Sequence, residues 1–142
     1  MRYCNIADPP VYTEEIEHWD RETDADGETM GGVIEQLLNN DHYNKQSINR
    51  QEHVTLITLT AAEWTGDEAP YEQTVAVEGI TTEDNPMLVS ALEDGADLAT
   101  QTAYSKAFGI LAAGTGTTAD GSVTFKVYKK PATDIVAGLK GV

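Results

Sequence analysis

At His53 the chain changes its hydrophobic period, and that change constrains the fold more than any other feature. Before it, Met30, Val33, Ile34, Leu37 and Leu38 fall at i, i+3, i+4, i+7 and i+8, one stripe of a helix. After it, apolar residues alternate with polar ones, the period of a half-buried strand. "HVTLITLT" (53–60) predicts a first strand. "QTVAVEGI" (73–80) predicts a second, with Val75 and Val77 on one face. "PMLVSAL" (86–92) is the third, and "SVTFKVYKK" (122–130) the fourth, with Val123, Phe125 and Val127 opposite Thr124, Lys126 and Tyr128. "DIVAGLKGV" closes the chain as a fifth. Between the third and fourth, Tyr104, Ala107, Phe108 and Leu111 share one face of an amphipathic helix. "APY", "TEDNP", "EDG" and "TADG" read as turns. The pattern predicts an α+β protein in which residues 53–142 form a compact, sandwich-like β-rich domain with one packed helix.

Residues 1–52 read as an extended arm followed by a short oligomerising helix. Pro9 and Pro10 disfavour helix early, and Val11, Ile16 and Trp19 show no period. Such an arm buries too little to fold alone, which predicts that it lies on a partner or a neighbouring subunit. The helix begins near Glu28. Past Leu38, "NNDHYNKQSINRQ" is polar, and a heptad through Met30, Ile34 and Leu37 would place Asp41 and Asn44 on its seam. The expectation is therefore a helix of two to four turns. Gly31 and Gly32 each weaken it by roughly 1 kcal/mol relative to Ala. A helix so short needs packing partners, which points to self-association through Met30, Val33, Ile34, Leu37 and Leu38.

Charge narrows the partners. The chain of 142 residues carries a formal net charge of −15, opposite to the cationic footprint that nucleic acid requires. Its distribution is uneven. Gln51 to Ser105 holds 11 acidic residues and no Lys or Arg, whereas from Lys106 onward five Lys face two Asp. That basic portion is suited to pairing with acidic surface, within a subunit or across an interface, although a solvated acidic exterior explains most of the excess. No apolar run approaches the roughly 20 residues of a membrane span. The start "MRYCNIADPP" lacks a signal-peptide core, and the lone Cys4 fits a reducing compartment.

Motifs for chemistry fail on inspection. With Gly27 as the glycine of a calcium loop, Glu22, Asp24 and Asp26 occupy positions 1, 3 and 5, but position 12 falls on Val33 in the apolar stripe. Helix-start chemistry explains the same acids, with Asp26 or Thr29 as the cap. Gly116 and Gly121 have phosphate-loop spacing, yet Ser122 stands where Lys is needed, and the order is helix before strand. A helix stop and a flexible Asp-Gly turn account for that stretch. His18, His42 and His53 share no ligand spacing, and no nucleophile motif is present. The pairs Glu14–Glu15, Asp67–Glu68 and Glu83–Asp84 read as solvated loop acids. These observations predict no catalytic site, no metal and no cofactor. Trp64 and Tyr71 flank "TGDEAP"; they form either an exposed ligand surface for carbohydrate or receptor, or the cover of one end of the core.

Two blocks carry a family resemblance. One is "PPVYTEEIEHWDRETDADGETMGGVIEQLLNNDHYNKQ"; the other is "LITLTAAEWTGDEAPYEQTVAVEGITTEDNPML" with the closing "GSVTFKVYKKPATDIVAGLKGV". Together they resemble short structural proteins encoded among tail and fibre genes of phages and prophages of Gram-positive anaerobes. The resemblance implies a non-enzymatic virion protein, a homotrimer made in the host bacterial cytoplasm. Residues 1–27 would attach it to other virion proteins, and a small fibre-like domain would be displayed. Capsid head fibres and decoration proteins share this plan. The resemblance carries over no catalytic residues.

Overall fold

The computed structural model describes residues 3–23 and 26–142. The chain divides into two compact units, Met1–Arg50 and Gln51–Val142.

In the first unit, α1 spans Gly27–Glu52, 26 residues or about 39 Å. This corrects the expectation of two to four turns. The polar second half is rich in Gln, Lys, Asn and Arg, which carry no stripe but impose only a small propensity cost, so the helix continues through them. Asp26 starts it. Its carboxylate accepts the N–H groups of Glu28 and Thr29, both at 2.8 Å. These bonds hold the Asp26 carboxyl below the usual carboxylate range.

Between Asn5 and Thr13 the arm lies along its own helix. Asn5 N–H donates to Glu35 Oε1 (2.9 Å), Ala7 N–H to Asn39 Oδ1 (2.8 Å) and Thr13 N–H to Asn40 Oδ1 (2.7 Å). Asn40 Nδ2 returns a bond to the Thr13 carbonyl at 2.8 Å, and Tyr12 meets Tyr43 with ring centroids 5.5 Å apart. An extended chain cannot pair its own backbone groups, so side chains of α1, the Glu35 carboxylate and the Asn39 and Asn40 amides, do it.

The second unit holds two antiparallel three-stranded sheets and one helix. β1 (Val54–Leu59), β6 (Ile135–Lys140) and β3 (Met87–Ser90) form one sheet with β6 central. β2 (Tyr71–Ala76), β5 (Ser122–Val127) and β4 (Thr115–Ala119) form the other, with β5 central. Alternation selects what each strand buries. Ile57, Leu59, Ile135, Ala137 and Leu139 enter the core from one sheet, and Val123, Phe125 and Val127 from the other. On the outer face of the second sheet Thr74 and Thr124 share a hydroxyl bond at 2.8 Å. Beside them Lys126 and Glu72 pair at 2.6 Å, half-exposed and worth little.

β4 departs from expectation, because "TGTTA" was read as part of a helix stop and flexible turn. It has no apolar alternation; its pairing with β5 makes it a strand, with Thr117 opposite Thr124 and Gly116 opposite Phe125. The Asp-Gly turn does follow. Gly121 takes φ +78°, which glycine adopts without a Cβ penalty. Its carbonyl accepts Val77 N–H and its N–H donates to Ile80, tying the hairpin tip to that turn.

α2 spans Leu98–Ala112 and buries Ala107 and Leu111. Tyr104 and Phe108 stack at 5.8 Å, and Tyr104 OH accepts Ala91 N–H (2.8 Å) while donating to the Val136 carbonyl (3.0 Å). Asp97 caps α2 through Thr100 N–H at 2.7 Å, and that bond holds its carboxyl below the ordinary carboxylate range. A carboxyl depressed in the folded state stabilises above its unfolded pKa, and the gain is lost as pH falls through the folded value. Asp97→Ala should therefore lower Tm at neutral pH. The gap to wild type should close as pH falls below about 4. Thermal melts at several pH values read this out, and a pH-independent gap would refute the charge-assisted cap.

Candidate functional site

The five stripe residues lie together on α1, as their spacing predicts. At about 100° per residue, Met30, Val33, Ile34, Leu37 and Leu38 cover an arc of about 140°. Met30, Ile34, Leu37 and Leu38 are exposed, Leu37 by 53%, and Val33 is partly exposed. Ile48, 55% exposed, falls on the same line. Of the arm's partners, Glu35, Asn39 and Tyr43 lie opposite the stripe, whereas Asn40 falls within about 20° of Val33, so the arm reaches one edge of the stripe at Thr13. No residue of α1 is buried; Val33, at the stripe's edge, lines a cavity together with Glu17 of the arm, while Met30, Ile34, Leu37 and Leu38 stay exposed.

A helix face this apolar is costly to leave in water, at roughly 25 cal/mol per Å² of apolar surface. The arc is also wider than a two-stranded seam, where only a and d positions pack. On a heptad Met30, Ile34 and Leu37 would fall at a and d positions, with Val33 and Leu38 to either side. Farther along, Asp41 and Asn44 interrupt the seam before Ile48 resumes it, and polar layers of this kind set register at a cost in stability.

A second apolar face was not anticipated. On the outer side of the first sheet, Val54, Leu56, Met87 and Val136 are exposed, Leu56 by 64%. The signal was present in "HVTLITLT", where apolar residues occupy both parities of the strand, a mark of a strand covered on both faces.

Trp64 is corrected as a ligand surface. It is 4% exposed and belongs to the core, with its indole Nε1 buried and without a hydrogen-bond partner. Tyr71 packs against the same core, and Lys130 Nζ lies 4.6 Å from its ring centroid while donating to the Trp64 carbonyl at 3.1 Å. The two aromatics thus offer no open stacking platform. Gln73 is buried nearby in the strand order; its Nε2 donates to Thr60 Oγ1 (3.2 Å) and Glu63 Oε2 (3.1 Å), binding β2 to the 60–63 loop.

Of the acids of the calcium-loop reading, Asp26 caps α1, Glu22 gives its backbone N–H to Asp20 (2.9 Å), and Asp24 lies outside the described residues. Among the described residues no group of three or more His, Cys, Asp or Glu side chains could hold a metal ion, and Cys4 is exposed. No described helix is long and apolar enough to cross a membrane. No protein-family model, curated protein or solved structure matches the chain. Fold and surface together define the class: an α+β protein with a long, apolar-striped helix before a β-rich unit.

Proposed function

We propose that the chain is a non-enzymatic structural component of a phage or prophage particle, a homotrimer joined through α1 that displays its β-rich unit. The observation that carries this is the exposed run of Met30, Ile34, Leu37 and Leu38 on α1, with the arm bonded to Glu35 and Asn39 on the far side and reaching only the edge beside Val33, at Asn40. A helix with one side occupied by its own chain and the other side apolar is built to meet copies of itself. The arc of about 140° suits three helices better than two. The family resemblance supplies the particle, and tail or fibre is the placement it favours over a capsid decoration.

Attachment falls to the arm. Its backbone is paired with α1 between Asn5 and Thr13, whereas among the described residues Glu14 to Trp19 has no backbone hydrogen bond. An unpaired extended segment with Ile16 and Trp19 among four acids from Glu14 to Asp20 suits docking on a neighbouring virion protein.

Particles purified from an induced lysogen test this reading. Mass spectrometry should find the chain at a constant ratio to the major structural proteins, with cross-links from residues 3–23 to another particle protein. Its recovery only in the particle-free supernatant would refute the proposal.

A further inference from the structure

One surface of the β-rich unit has a charge opposite to that of the chain as a whole. Between α2 and the segment joining β5 to β6 lies a cavity of about 710 Å³, floored by Ala99, Ala103, Ala107, Ile110 and Ala132. A second cavity adjoins it, sharing Lys106, Ile110 and Lys129 and reaching Gly109, Ala113 and Tyr128. Together they make a groove along α2, about 22 Å for its 15 residues. Leu98 stands exposed at one end and Tyr128 at the other.

No Asp or Glu lines either cavity, in a chain with 24 acids and nine Lys and Arg. Three of those nine cations, Lys106, Lys129 and Lys130, do. Lys130 is spent on the Trp64 carbonyl and the Tyr71 ring. Lys106 and Lys129 are exposed, and among the described residues neither is paired with a carboxylate. The acids nearest in sequence are used elsewhere: Asp97 caps α2, and Asp134 accepts Ala61 N–H at 2.7 Å.

From this we infer that the groove is a docking site for an acidic, extended peptide segment of a partner protein, with apolar side chains on the alanine-lined floor and carboxylates at Lys106 and Lys129. At about 3.3 Å per residue, some six or seven residues would span it. Charge complementarity chooses the sign of the ligand, since this groove gathers three of the nine cations of a chain that is net acidic. The floor chooses its kind. An anionic glycan or a nucleic acid needs a polar lining and a wider cationic footprint, whereas this groove offers small apolar side chains and two free ammonium groups.

Fluorescence anisotropy on the full chain tests the inference. The probe is a labelled peptide of about seven residues that alternates Glu with Leu. Its counterparts alternate Lys with Leu and Glu with Ser. The Glu-Leu peptide should bind saturably, and each counterpart at least tenfold more weakly. Raising salt from about 50 mM to about 500 mM should weaken binding severalfold. Lys106→Glu with Lys129→Glu should weaken it more than tenfold without moving Tm or oligomeric state. Ala99→Trp, which fills the exposed floor, should do the same while retaining both charges. Equal binding of the Glu-Ser peptide, tighter binding of a sulfated polysaccharide, or wild-type affinity in both variants would overturn it. Because unit mass and particle incorporation are measured separately, failure here is distinguishable from failure of the structural role.

Discussion

Leu37→Asp is expected to convert a trimer into a monomer. Leu37 sits at the middle of the stripe and is 53% exposed in the single chain, so association buries about half a leucine per subunit. That contributes roughly 1–2 kcal/mol per chain, summed over three chains. The substitution removes this and adds three carboxylates to a closed seam, where Asp41 already contributes three. Like charges brought together at low dielectric oppose assembly strongly. Sedimentation velocity should show a trimer for wild type and a monomer for the variant, with the melt of the β-rich unit unchanged. Alanine at Asn39, opposite the stripe, should leave the trimer intact, although the arm loses its bonds to that amide. A monomeric wild type would refute self-association through α1, and so would a trimeric Leu37→Asp.

The second large effect lies in the β-rich unit, where two glycines five residues apart should respond in opposite directions. Gly114 follows the α2 cap, and its N–H donates to the Leu111 carbonyl at 3.1 Å. A methyl group there would overlap the Lys126 carbonyl oxygen, and would stand 3.1 Å from Val127 Cγ1 and 3.3 Å from the Leu111 carbonyl oxygen. Two of these neighbours are backbone and the third is the side chain of a fully buried valine, so relief requires moving β5. Gly114→Ala should cost about 3 kcal/mol, the range of an overpacked core. For a unit of this size that is a fall in Tm of about 10–20 °C. Gly109 lies within α2 with nothing within 4 Å of an added Cβ. Gly109→Ala should stabilise by about 0.5–1 kcal/mol and raise Tm by a few degrees. Calorimetry of both variants checks the pair, and a neutral Gly114→Ala would disprove the close approach of α2's end to β5.

Much of the β-rich unit was legible because its strands obey the period of two. Val123, Phe125 and Val127 are buried as their alternation requires, and Ala107 and Leu111 likewise on α2. The misreadings have specific causes. β4 is Thr- and Gly-bearing without apolar alternation, so only its hydrogen bonds to β5 distinguish it from a loop. The polar stretch after Leu38 carries no apolar period, yet helical backbone persists through it while the amides of Asn39 and Asn40 bond the arm. Trp64, flanked by a turn-rich acidic stretch, could by local sequence face solvent or core, with core the favoured reading, and it is buried. The groove over α2 was foreshadowed only by the lysines gathered after Ser105; that Lys106 meets Lys129 is a matter of packing.

By itself the sequence determined the change of period at His53, the elements that follow from it, and the stripe on α1. These are local properties, set by which residues recur on one face of a regular backbone. Tertiary structure alone decided where the arm lies, that Trp64 belongs to the core, that "TGTTA" is a strand, and that a cationic groove opens on an acidic protein. Each of those depends on residues distant in the chain sharing hydrogen bonds or volume, and spacing along the sequence carries no record of that.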